Sequence, residues 1–235
     1  MARSWRRLLR DRLAPYPRLF LPAYRRFGPR QNRHCALAPD TELVIEGFAR
    51  SANTWSVVAF RSAQPQPVRL AHHLHVEAQV IGAVRRGLPV VVLIRDPAEA
   101  LRSLKFVLPA IDENHELRRW LAFYRVVETL ADRVVIATSE QATADFGAVV
   151  ARVNARFGTA FAPFCTNPDN VERVFAAIAG DQDLLGTQLY AGRPSTARTS
   201  AKQSVPFSLA PAALAEAQAL HARLTQLAIP PATPA

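Results

Sequence analysis

Leu43-Val44-Ile45-Glu46-Gly47 reads as an apolar strand that stops at a glycine, and Thr54-Trp55-Ser56-Val57-Val58 opens a helical pattern. The polar loop between them carries Arg50, Ser51 and Asn53. A strand, a short loop and a helix start in that order make an anion cradle. The loop N–H groups and those left open at the helix N-terminus converge above the strand end. Arg50 adds a full charge, and Ser51, Asn53 and Thr54 add side-chain donors. The guest such a loop suits is a phosphate or sulfate; the plainer reading is a polar strand-to-helix turn. In the triphosphate loop Gly-x-x-x-x-Gly-Lys-Ser/Thr, counted from Gly47, Ala52 stands for the second glycine and Asn53 for the lysine. Only Thr54 fits, which argues against a magnesium-dependent kinase.

A second anion motif follows another strand. Pro89-Val90-Val91-Val92-Leu93-Ile94 is a continuous apolar run of the kind buried in a parallel sheet. It leads into Arg95-Asp96-Pro97-Ala98-Glu99, where the proline and acids suit a first helical turn. Ser103 lies two turns on. Arg95 is placed either to hold an anion with Ser103 or to pair with Asp96 or Glu99. Between the two motifs, Arg69-Leu70-Ala71-His72-His73-Leu74-His75 gathers three histidines. A neutral imidazole is a suitable base for a hydroxyl or amine. On an extended segment His73 and His75 face one side and His72 the other, so replacing His72 should matter little. A metal is the competing reading, but no cysteine or second histidine cluster in the sequence completes a ligand set.

The first loop resembles the 5′-phosphosulfate loop of sulfotransferases that use 3′-phosphoadenosine 5′-phosphosulfate (PAPS). Arg50, Ser51, Asn53, Thr54 and Trp55 match it, while Ala49 and Ala52 replace its usual proline and glycine. The Arg95 segment is similar to that family's 3′-phosphate motif, and His73-Leu74 to its catalytic His-Leu pair, with Ala71-His72 in place of the usual Lys-Thr, which leaves the register open by one residue between His72 and His73. Glu140 and Phe157-Gly158 stand at looser matches, so the resemblance spans most of residues 42–158. It implies a three-layer α/β domain with a central parallel sheet, of the P-loop-like sulfotransferase fold. PAPS would be the co-substrate and no metal would be needed. His73 would be the base, Arg50 would stabilise the sulfuryl group, and Ser51, Ala52, Asn53, Thr54 and Trp55 would line the 5′ side. Arg95 and Ser103 would hold the 3′-phosphate. Arg198 and Lys202, in a basic hydroxyl-rich stretch from Gly192 to Lys202, match a late Arg-x-x-x-Lys clamp, with a solvated loop as the alternative. The acceptor would be a small molecule or glycan. A nucleotide-dependent kinase with a degenerate loop, or a non-catalytic anion-binding domain, are the alternatives.

Other elements must position these residues. At 235 residues and 49% apolar the chain can bury one substantial core. Apolar runs at 42–46, 90–94 and 133–138 alternate with helical patterns, as in a parallel α/β sheet. Leu117, Trp120, Leu121, Tyr124 and Val127 form the stripe of a helix over Asn114–Asp132. Further helices are expected over Ala144–Phe157, over Pro168–Leu185 with Asn167 as cap, and over Ala210–Leu227. Residues 36–228 form the expected domain, and residues 229–235 read as a disordered tail.

Charge is uneven along the chain. The net formal charge is +10, and residues 1–30 hold nine arginines against one acid, Asp11. A short helix over Ser4–Leu13 is expected there. Residues 1–35 read as a helix packed on the domain, a basic arm for an anionic acceptor or membrane surface, or a targeting segment. No nucleic-acid-binding signature with interleaved aromatics is present, so no nucleic acid is expected despite the charge. Cys35 and Cys165 are far apart and read as free thiols, which with the lack of an 18-residue apolar stretch suggests a cytoplasmic protein.

Overall fold

The computed structural model describes residues 2–180, 193 and 195–228, leaving aside the side chains of 2–6 and 198. Its centre is a four-stranded sheet: β1 (Leu43–Gly47), β2 (Leu70–His72), β3 (Val90–Ile94) and β4 (Val135–Thr138). All pairings are parallel and the order is β2-β1-β3-β4. Alternate side chains feed two separate cores, as a two-residue period requires. Val44, Val90, Val92 and Ile136 face α2 (Pro17–Phe27), α4 (Glu77–Arg85), α6 (Glu113–Thr129) and α11 (Pro211–Ala228). Ile45, Val91, Leu93 and Val135 face α3 (Asn53–Ala63), α8 (Phe146–Phe157) and α9 (Pro168–Gly180). The result is a three-layer α/β domain with helices on both faces, as the sequence implies. From β1 the chain moves one way to β2 and the other way to β3. The crevice above that switch point is where open α/β sheets bind ligands.

Several boundaries differ from expectation for identifiable reasons. The helix expected over 144–157 is α8 (Phe146–Phe157), capped by Asp145 through the Ala148 N–H, and a short α7 (Ser139–Ala144) precedes it. Thr138 and Gln141 form a reciprocal capping box that starts α7. The stretch around Arg198 and Lys202, weighed as a loop, is helical over α10 (Thr196–Gln203). It has almost no apolar periodicity to announce it. Asn167 caps α9 as expected, accepting from the Asn170 N–H at 2.8 Å. The end of the expected Pro168–Leu185 helix, and the expected tail over 229–235, lie outside the described residues.

The first segment is continuous with the domain. α2 sits against α4 and α1 (Ala2–Leu13) against α2, and Ala14, Phe20, Leu21 and Cys35 enter the core. Pro22 is accommodated inside α2. Both cysteines are free thiols, Cys35 buried and Cys165 exposed. No described helix is long and apolar enough to cross a membrane.

Candidate functional site

Gly47 ends β1 beside β3 so closely that a Cβ there would lie 2.3 Å from the Leu93 carbonyl oxygen. The loop that follows is pinned from below by Tyr124, whose hydroxyl donates to Leu93 O at 2.6 Å and accepts the Phe48 N–H at 3.1 Å. Burial pushes that phenol above its ordinary value, so it stays neutral and keeps its donor. Arg50 and Ala52 both have left-handed backbones, with φ of 72° and 66°. Such turns aim successive N–H groups into one concavity. Ala52 precedes α3 and makes no side-chain cap, so the helix's first donors are left to the cleft.

Ala52 occupies the position where the matching motif has glycine, and a left-handed alanine is strained by about 1–2 kcal/mol. Ala52→Gly removes that strain but gives the unfolded chain more freedom. A net gain of roughly 0.5–1 kcal/mol is expected, read as a higher urea midpoint at unchanged m. A lower midpoint would show that the loop is not strained there.

The two anion motifs meet. Arg50 Nε donates to Ser103 Oγ at 3.1 Å, and Arg95 Nη1 donates to the Arg50 carbonyl at 3.2 Å. Arg95 also lies 3.6 Å from Glu99, the alternative partner raised by the sequence. Arg50 and Arg95 border a cleft of about 550 Å³, within the usual range for small-molecule sites, with Ser103 buried behind them. Thr54, Trp55 and Lys202 line it too. Trp55 is set against Phe175 with ring centroids 5.1 Å apart, giving the cleft an aromatic wall. Arg198 lies on α10 with Lys202, its side chain outside the described set.

Not every candidate turns inward. The Asn53 carboxamide closes the loop by donating to Phe48 O at 3.0 Å, so its contribution to the cleft is its backbone N–H. Ser51 is fully buried, its Oγ 3.5 Å from the Tyr124 hydroxyl. Their side chains shape the loop rather than face a ligand.

The histidines depart most from expectation. His73 and His75 have φ of 57° and 53°, so the chain leaves the strand at His72 and simple alternation fails. His72 is not on the far side from His73; their Nδ1 atoms are 2.7 Å apart. The proton positions along this row follow from one fixed donor. Arg61, which can only donate, contacts His72 Nε2 at 3.0 Å. His72 therefore carries its proton on Nδ1 and donates to His73 Nδ1. His73 in turn carries its proton on Nε2 and donates to Thr54 Oγ1 at 3.0 Å. Burial first, then the proximity of His75 and Arg61, holds His73 down to about 3, so it is neutral. His73, expected as a base, lines the cleft with its Nε2–H turned to Thr54 Oγ1.

Sequence reasoning missed Glu46 and Arg61, and named His75 and Glu140 without placing them in the site. Glu46 is fully buried and accepts the N–H groups of Leu74 at 2.7 Å and His75 at 3.1 Å, plus the Gln79 amide at 2.8 Å. The available signal was a lone acid at the end of an apolar strand. Glu140 lines the cleft; burial would raise its carboxyl, but the hydrogen bond from Ser139 and others outweigh it and keep it ionised. His34 and Cys35 also come within ligand distance of His72, supplying the cysteine and histidine the sequence did not place there. As arranged, His72's only lone pair faces Arg61 and the Cys35 thiol is pushed up to about 12, chiefly by burial, so this cluster offers a cation little.

No protein-family model matches the chain, and no curated protein matches it. Among solved structures it is similar to mouse sulfotransferase SULT7A1 complexed with PAP, at 12% identity and a TM-score of 0.47, over 88% of this chain and 92% of that one.

Proposed function

We propose that this protein transfers a sulfuryl group from PAPS to a hydroxyl or amine. The observation that carries the proposal is the joining of two anion motifs, 53 residues apart in sequence, by the Arg50–Ser103 bond at the sheet's switch point. One cradle alone fits any anion. Two cradles on adjacent strand ends, with an aromatic wall beside them, fit a nucleotide that carries phosphates at both ends of its ribose. The open N-terminus of α3, Arg50 and Thr54 would take the 5′-phosphosulfate, where charge builds on the bridging oxygen as the sulfur–oxygen bond breaks. Arg95 and Ser103 would hold the 3′-phosphate, with Lys202 closing from α10. Bound phosphate oxygens would take over the donors that now bond within the protein. Positioning and electrostatics then supply most of the rate, as in phosphoryl transfer. The absence of a lysine at Asn53 disfavours the kinase alternative.

A thermal-shift comparison tests this. A ligand that binds only the native state raises Tm by mass action, by about 2.7 kcal/mol of stability at 100 times its Kd. Adenosine 3′,5′-bisphosphate (PAP) should raise Tm clearly, and magnesium-ATP or NAD should not. A larger shift with magnesium-ATP would overturn the proposal in favour of a kinase.

A further inference from the structure

His75 is locked in the tautomer a base needs. Its Nδ1 lies 2.6 Å from the Gly47 carbonyl oxygen, which can only accept, so Nδ1 carries the proton. The buried Glu46 carboxylate stands 3.6 Å from the same nitrogen. The lone pair is therefore on Nε2, which has no hydrogen-bond partner among the described residues, and the ring lines the cleft. The placement is over-determined. Glu46 holds the backbone on both sides of the bend, and Arg119 donates to the His75 carbonyl at 3.2 Å. Such support is what keeps a left-handed, non-glycine residue in place at a working site. The charged and titratable groups facing His75 are Glu46 from β1, Arg119 from α6 and His73, with ring centroids 5.8 Å apart.

We propose that His75, oriented by Glu46, is the proton acceptor of the reaction, a role that rests on the sulfuryl-transfer function above. The acceptor's oxygen or nitrogen forms a bond to sulfur, and the bond from sulfur to the bridging oxygen breaks with its electrons going to the 5′-phosphate of PAP. The acceptor's proton moves to His75 Nε2, and Glu46 stabilises the imidazolium until water removes the proton. Glu46 is a positioning residue, and His73 Nε2–H orients the Thr54 hydroxyl that faces the charge that builds.

Two readouts on the full chain test this. Long-range proton–nitrogen spectra of the histidines should show His75 protonated on Nδ1 and His73 on Nε2. PAP release from PAPS with water as acceptor should rise with pH along one limb, and His75→Gln should lose about 100-fold and that limb. His73→Gln should keep the limb. Glu46→Gln should shift its midpoint down, because the imidazolium loses its carboxylate. A His75 found protonated on Nε2, or a His75→Gln chain that keeps rate and limb, would overturn the proposal. Failure of the native chain to bind PAP by calorimetry would instead remove the sulfuryl-transfer function, and the spectra would still judge the tautomers.

A separate observation concerns the opposite surface. Five of the seven large apolar side chains exposed among the described residues fall on the first two helices and the turn between them: Leu8, Leu9, Tyr16, Leu19 and Phe27, the last 78% exposed. Exposed Arg7, Arg12, Arg18 and Arg26 are interleaved with them, Arg26 stacking on Phe27. The segment's only acid, Asp11, is spent inward on Arg119 and His115. A face both apolar and uniformly cationic complements an anionic lipid surface, where the arginines meet headgroups and the apolar tips enter below them. We infer that α1 and α2 dock on such a membrane. The full chain should float with vesicles containing phosphatidylglycerol and not with pure phosphatidylcholine. Arg12→Gln/Arg18→Gln/Arg26→Gln should weaken binding about 100-fold, and Leu19→Ser/Phe27→Ser should weaken it with the charge intact. Failure to float, or binding to single- or double-stranded nucleic acid that matches vesicle binding and ignores the Leu19/Phe27 change, would overturn the inference.

Discussion

Arg50→Met should lower turnover by about 10²–10³-fold, the largest loss expected from a single change. The magnitude is that of removing one preorganised donor aimed at developing charge. Methionine keeps most of the length and apolar stem, so packing is spared while the cation goes. Arg50 borders the cleft and its guanidinium already touches Ser103, so one side chain serves both anion motifs. Nucleotide affinity should fall less than turnover, since the charge it meets is greatest at the transition state. Equal losses in both would reduce Arg50 to a binding group, and no loss would remove it from the site.

His73→Ala should lower turnover by about 100-fold while nucleotide affinity changes little. His73 Nε2–H fills a lone pair of Thr54 Oγ1, which leaves the threonine's own proton to point into the cleft. Removing the ring loses a donor and the orientation of a second. The same residue affects stability with a definite sign. Burial first, then neighbouring positive groups, holds His72 well below 6.5 and His73 to about 3. The unfolded chain therefore binds more protons than the folded one between about pH 6.5 and 3, and stability falls as pH drops through that window. His73→Ala should flatten that fall, measured by urea unfolding at pH 7 and pH 5. A slope identical to the native one would show that His73 binds protons alike in the folded and unfolded chain.

Sheet and motifs were legible because they depend on local order. An aliphatic run such as 90–94 has one physical use, a buried strand, and it is β3 residue for residue. The strand-to-helix order around Gly47 likewise announces β1, a polar loop and the start of α3 before any contact is known. The histidines were not legible. Alternation presumes an extended chain, and the bend at His73 and His75 is imposed by Glu46, 28 residues before the Leu74 N–H it accepts. Tautomers needed Arg61, placed by α3 and not by the histidine segment. Tyr124 read as one member of an apolar stripe, and only its distance to Phe48 N reveals that it pins the loop. The short α7 was missed because its start rests on the reciprocal cap between Thr138 and Gln141 rather than on an apolar stripe.

The central claim is that one cleft reads both phosphates of the nucleotide, and calorimetric titration of PAP against adenosine 5′-phosphate tests it most directly. PAP should bind at least about 10-fold tighter, since the 3′-phosphate adds charge-assisted hydrogen bonds of roughly 1.5–3 kcal/mol. Arg95→Ala should remove most of that margin and leave adenosine 5′-phosphate nearly unaffected. Equal affinity of the native chain for the two nucleotides, or equal losses for both in Arg95→Ala, would contradict the account.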